Sequence, residues 1–219
     1  METTTLGRTG LVVSRTGFGA LPIQRIGFDE SKTILRRAHE AGITLYDTAR
    51  GYSDSEEKLG YALSDVRDDI VIATKSSGAK SKQDVLTKLE QSLANLRTDH
   101  VDILQLHNPR PLPDPEDPES IYAGLLAARE QGKARFIGIT QHRLDGALEA
   151  ARSGYYDTVQ FPLSALSAEK DLELVRVCAE ENVGLIAMKA LAGGLLDNAR
   201  VAFAGLRRFE NVVPIWGIQ

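Results

Sequence analysis

Apolar positions along this chain follow two alternating rhythms. Short β-branched or apolar runs recur at 14–20, 43–49, 69–76, 100–107, 134–140, 157–164, 183–190 and 212–218. Between them lie polar stretches such as "DESKTILRRAHEAG", "SKQDVLTKLEQSLANL" and "SAEKDLELVRVCAEEN", with apolar residues three and four apart. The runs read as buried strands and the stretches as amphipathic helices. Several of the helices open on Asp or Ser and close near Gly, as helix caps do.

Strands that alternate with helices imply parallel strands joined by right-handed crossovers. Eight such units predict an α/β fold of the closed (β/α)8 TIM-barrel type. The runner-up, a doubly wound open sheet, lacks its mark: no GxGxxG follows the first run, where "TGFGALP" has Pro22 directly after its glycines. "TTTLGRTGLVVS" ahead of the first run predicts a β-hairpin turning at "RTG" and capping the barrel bottom. Residues 108–118, "NPRPLPDPEDP", hold five of the chain's eight prolines, so this segment is expected to be an irregular loop. No other composition shift marks a boundary, and residues 1–219 are expected to form a single domain.

Composition removes whole classes of function. A net charge of −4 gives no reason to expect nucleic acid or an anionic membrane as partner. Cys178 is the only cysteine, which excludes an internal disulfide framework, a thiolate zinc cage and an iron–sulfur cluster held by this chain. No metal site is expected. The start has no apolar core of signal-peptide length and no run reaches membrane-spanning length, so the cytoplasm is the expected location.

In a barrel of this kind, chemistry gathers at the C-terminal strand ends. Those ends offer Asp47 after the second run, Lys75 after the third and His107 after the fourth, with Tyr52 in the loop after Asp47. Each has a plainer reading: a turn cap, a snorkelling lysine, a satisfied histidine, a half-buried loop aromatic. Together they suit one reaction. A phenol with pKa near ~10 is a poor acid at neutral pH, but an adjacent ammonium favours phenolate. Asp47 would hold Lys75 charged, and His107 would polarise a carbonyl oxygen. None of these groups supplies electrons, so reduction would need a hydride cofactor.

The segments "GRTGLVVSRTGFGA", "YDTARGYSDSEEKLG", "VIATK", "VDILQLHNP", "GKARFIGIT" and "VGLIAMKALAGGLL" resemble the aldo-keto reductase family, in order and across nearly the whole chain. The resemblance implies a barrel that reduces aldehydes or ketones with NADPH, less often NADH. It implies a tetrad on Asp47, Tyr52, Lys75 and His107, with Tyr52 as proton donor. Gln160 matches a position that bonds the nicotinamide carboxamide, and Leu191, Gly193 and Gly194 match the loop passing the pyrophosphate. Plainer readings are a polar layer inside the barrel for Gln160 and an ordinary turn for the glycines.

The chain departs from the family's pattern in three places. Gln141 and His142 stand where the family usually offers Ser-Asn to the carboxamide, and Met188, followed by Lys189, stands where an aromatic often stacks on the nicotinamide. "GIT-x-H" and "AMK-x-LAGG" resemble a bacterial branch whose members sometimes carry a ferredoxin-like tail, which is absent here. The third departure is the final helix, whose junction with the last strand holds the adenosine 2′-phosphate in the family. Without that helix the outer faces of the first and last barrel strands would be uncovered, so the chain is expected to be a truncated form of a longer protein, or something else is expected to cover the patch. Some hundreds of Å² would forfeit on the order of 10 kcal/mol at ~25 cal/mol per Å². Two other readings of the barrel are a Schiff-base aldolase or lyase using Lys75 or Lys189, and a non-catalytic nucleotide-binding barrel. The expected partner is a small carbonyl compound, approached by the Pro-rich loop and by Gln24 and Arg25.

Overall fold

A computed structural model describes residues 1–217. Strands β1 (Thr3–Thr5) and β2 (Val12–Ser14) pair antiparallel as the N-terminal hairpin. Eight parallel strands then close a barrel: β3 (Gly17–Gly19), β4 (Leu45–Asp47), β5 (Val71–Ser76), β6 (Val101–His107), β7 (Ala134–Thr140), β8 (Thr158–Pro162), β9 (Gly184–Met188) and β10 (Val212–Trp216). Closure is the pairing of β10 with β3, where Trp216 lies opposite Phe18. Seven helices connect the strands: α1 (Phe28–Glu40), α2 (Ser55–Leu63), α3 (Lys82–Leu96), α4 (Ile121–Glu130), α5 (Leu144–Arg152), α6 (Glu169–Glu180) and α7 (Ala199–Arg207).

Three of the helices begin on a side-chain capping oxygen. The side chains of Ser81, Ser120 and Asn198 accept the backbone N–H groups of Asp84, Ala123 and Val201. Each helix buries one stripe against the strands, which makes the outer core. A separate inner core fills the barrel, where Leu45, Val71, Ala73, Ile103, Ile186, Val213 and Ile215 meet Phe136 and Met188. These positions alternate along their strands, because the pleat sends every second side chain inward.

The hairpin plugs the bottom. Leu6, Leu11 and Val13 are buried and join the inner core. The backbone at Gly7 runs so close to β9 that a Cβ there would sit 2.3 Å from the Gly184 nitrogen. Glycine is required at that contact, and its φ of +51° suits it.

The first and last barrel strands are covered by other parts of the chain. Every residue of β3 and β10 is buried. Helix α7 lies over β10 so that Phe203 stacks on Trp216, with ring centroids 4.2 Å apart, and Trp216 Nε1 donates to Thr16 Oγ1 at 2.5 Å. The hairpin closes over the same place: Arg15 donates to the carbonyls of Arg207 and Phe209, and Thr4 to that of Glu210. A groove of about 200 Å³ remains, lined by Phe203, Val212, Pro214 and Thr16 with polar groups at its rim. No helix among the described residues is long and apolar enough to cross a membrane.

Candidate active site

The C-terminal ends of the strands surround a cavity of about 670 Å³. Asp47, Tyr52, Lys75 and His107 all line it, as do Thr140, His142, Gln160, Met188, Lys189, Leu191, Gly193 and Gly194. Strand pairing explains the convergence. Lys75 is level with Gln105, and one inward step further along, His107 is level with Thr140 and Thr140 with Gln160, so two successive inward rows of the pleat carry most of these polar groups.

Asp47 and Lys75 are both buried and in direct contact, with Nζ 2.8 and 2.7 Å from the two carboxylate oxygens. Nζ gives its third bond to the Thr48 carbonyl at 2.6 Å, so all three ammonium donors are used. The carboxylate also accepts from Gln105 Nε2 at 3.3 Å and Gln160 Nε2 at 3.4 Å. Burial pushes Asp47 above the usual carboxylate range and Lys75 below the usual ammonium range, while their contact opposes both shifts.

Tyr52 stands beside this pair, with Lys75 Nζ 5.1 Å from the centre of its ring. The expectation that the ammonium would make the phenol more acidic is overturned. The Tyr52 pKa is raised above its ordinary value, by burial first and by the Asp47 charge second. The physical reason is the saturation of Lys75, whose donors all point at Asp47 and Thr48 and whose charge the carboxylate offsets. The phenol is therefore protonated at rest, and among the described residues its hydroxyl makes no hydrogen bond.

His107 packs edge-to-face on Tyr52, with ring centroids 5.8 Å apart. Burial, then the Lys75 and His142 charges, lower its pKa to about 4, so the ring is neutral at pH 7. Its Nδ1 is 2.6 Å from Ser77 Oγ. The site thus presents a protonated phenol and a neutral imidazole side by side, above a buried ion pair.

A family model described as the aldo/keto reductase family matches residues 15–212. The chain belongs to the aldo/keto reductase family. It is 29% identical over 214 residues to aldo-keto reductase YhdN of Bacillus subtilis, a match covering 90% of this chain and 64% of that protein. To L-galactose dehydrogenase of Arabidopsis thaliana it is 31% identical over 214 residues, covering 90% of this chain and 67% of that protein. It thus spans about two thirds of the length of these curated relatives. A thermostable aldo-keto reductase solved with the inhibitor epalrestat superposes with a TM-score of 0.85 at 26% identity, covering 100% of this chain and 89% of that one.

The residues that the family resemblance assigns to cofactor binding are not equally placed. Gln160, Met188, Leu191, Gly193 and Gly194 face the cavity. Gln160 also belongs to a polar layer, where its Oε1 accepts from Gln105 Nε2 at 2.9 Å. Gln141 points elsewhere: it is buried, and its Nε2 donates to the Pro109 carbonyl at 3.0 Å. The inward neighbours Thr140 and His142 line the wall instead. Among the described lining residues none comes from 108–118, so the Pro-rich loop is held by Gln141 rather than forming the wall. At the opposite side Leu21 and Pro22 line the cavity, and Gln24 accepts a hydrogen bond from Ser53.

Sequence reasoning passed over Thr140, Gln105 and Ser77. The first two were within reach of pleat parity, since Gln105 is two residues before His107, and Thr140 follows Phe136 and Gly138 on the inward side of β7. Ser77 had no such signal. The site fits a nicotinamide cofactor on two observations. Thr140 Oγ1 is buried and has no hydrogen-bond partner among the described residues while its side chain lines the cavity. A Cβ on Gly193 or Gly194 would meet nothing within 4 Å, so the backbone there lies open to the cavity.

Proposed function

We propose that this chain is a carbonyl reductase that converts an aldehyde or ketone to an alcohol with NADPH or NADH. The observation that carries the reading is the meeting of Tyr52 and His107 at one cavity wall above the buried Asp47–Lys75 pair. Reduced nicotinamide, when bound, supplies the hydride. Thr140, Gln160 and Met188 would hold its ring, and the backbone at Leu191, Gly193 and Gly194 its phosphates.

The rest of the work falls to the chain's own groups. His107, neutral and at the cavity wall, orients the carbonyl oxygen by a hydrogen bond. Tyr52 gives its hydroxyl proton to that oxygen as the alcohol forms. The phenolate left behind is reprotonated from solvent before the next cycle. The Asp47–Lys75 pair, fully bonded, holds the floor of the site on which the Tyr52 ring rests.

Lys75 is poorly suited to attack a carbonyl as a Schiff-base nucleophile, because its three donors are engaged and a carboxylate holds its proton. The test is a titration of NADPH and NADH against the chain, followed by carbonyl turnover in the wild type and in Tyr52→Phe. Binding of neither nucleotide at millimolar concentration would sink the proposal. So would Tyr52→Phe with wild-type turnover, or an adduct trapped by borohydride.

A further inference from the structure

Ser77 follows the last residue of β5, and its hydroxyl has two partners among the described residues. Gly51 N–H donates to Oγ at 3.1 Å, and His107 Nδ1 lies 2.6 Å from the same oxygen. We infer that Ser77 is a positioning residue: it fixes His107 as the tautomer with the proton on Nε2, and it fastens the Tyr52 loop to the imidazole.

The argument is a count of protons and lone pairs. A serine hydroxyl has one proton and two lone pairs. The Gly51 N–H occupies one lone pair. Were Nδ1 protonated, it would take the other, and the serine proton would have no acceptor among the described residues. With Nδ1 bare, every group is used in one chain: Gly51 N–H to Oγ, then Oγ–H to Nδ1. The ring is neutral at pH 7, so its single proton is then on Nε2. That nitrogen is on the far side of the ring from Ser77, and the ring lines the cavity.

The same hydroxyl sets the distance between the two groups proposed to act on the carbonyl. Gly51 directly precedes Tyr52, and a Cβ at position 51 would stand 2.9 Å from Ser77 Oγ and 3.0 Å from Ser77 Cβ. Only glycine allows this approach without moving the serine. Ser77 therefore joins the loop after β4 to the end of β6, with Tyr52 on one side of the link and His107 on the other. A histidine that donates from Nε2 can bond a carbonyl oxygen, whereas the other tautomer would present a lone pair and repel it.

The catalytic consequence rests on the proposed carbonyl reduction, but the tautomer does not, and the experiment separates them. Long-range ¹H–¹⁵N spectra of histidine-labelled full chain at pH 7 report the state of each ring nitrogen, with His107 identified by its loss in His107→Gln. The expected wild-type pattern is a bare Nδ1 and a protonated Nε2. Ser77→Ala should shift both nitrogens toward the average of two tautomers, and Ser77→Thr should restore them. In turnover, Ser77→Ala should lose about tenfold in kcat with nucleotide affinity unchanged, and Ser77→Thr should recover most of it. A wild-type His107 protonated on Nδ1 overturns the inference even if Ser77→Ala fails to fold, as does a Ser77→Ala spectrum like that of wild type. Tautomer shifts as expected in a chain with no carbonyl turnover would leave the Ser77 assignment standing and remove the proposed function.

Discussion

Lys75 donates to both carboxylate oxygens of Asp47 across the barrel top, at 2.8 and 2.7 Å, with both side chains cut off from solvent. Each charge is tolerable there only because the other is present. Removing one partner of such a pair costs about 3–5 kcal/mol, while replacing both by apolar groups costs far less. Lys75→Met should therefore lower stability by about that amount in urea denaturation, and Asp47→Leu combined with Lys75→Met should regain most of it. The sign with pH also follows. In Lys75→Met the buried carboxyl has a raised pKa, so the native state binds a proton that the unfolded chain releases. Its deficit should be smaller at pH 5 than at pH 8.

The Tyr52 hydroxyl has no protein partner among the described residues, so removing it should leave the fold nearly untouched. Tyr52→Phe should change the urea midpoint little and nucleotide binding little. Turnover of an aldehyde should fall by roughly 10²–10⁴, the usual worth of a positioned proton donor. Because burial and Asp47 raise the phenol's pKa above its ordinary value, proton donation by Tyr52 should persist into alkaline solution. A wild-type kcat limb titrating near neutrality from loss of the Tyr52 proton would contradict this.

His107 titrates at about 4 in the folded chain, against an ordinary 6.5. Its folded value is depressed, so between these two values the unfolded state binds a proton that the native ring refuses. Stability should then fall as pH drops from about 6.5 to 4. His107→Gln removes this contribution, and its denaturation midpoint should decline less across that window than the wild type's. Equal declines would mean that the ring takes up its proton freely in the native state.

Trp216 closes the barrel twice, by pairing with Phe18 through the backbone and by stacking under Phe203. Trp216→Ala should cost about 3–5 kcal/mol, as large aromatic truncations in cores do. Phe203→Ala should cost less, since Phe203 is 44% exposed and loses mainly the stacking, about 0.5–1.5 kcal/mol. Thermal or urea unfolding followed by Trp216 fluorescence in the Phe203 variant would measure the second effect directly.

The element order was legible in the chain itself. Helix stripes three and four apart and the apolar runs between them mark all seven helices and all eight barrel strands within a few residues. The strand ends carrying Asp47, Lys75 and His107 could be read the same way, whereas Gln105 and Thr140, which pleat parity would have placed inward, were passed over. The hairpin was signalled by "GRTG", although its turn contains a short 3₁₀ segment at Gly7–Thr9.

Three things depended on the closed barrel. The acidity expected of Tyr52 failed because Lys75 spends its donors on Asp47 and Thr48, a choice made by side-chain geometry at two adjacent strand ends. Gln141 left the cavity because Pro109 offers it a carbonyl across a neighbouring loop. Ser77 met His107 and Gly51 only because β4, β5 and β6 lie side by side. Local spacing, pleat parity and caps act along the chain, so the sequence alone determined which segments are strands, which are helices and which side chains turn inward. Proton positions, burial and the covering of β10 arise between residues far apart in the chain, where desolvation and competition for hydrogen bonds decide, and only the tertiary structure set them.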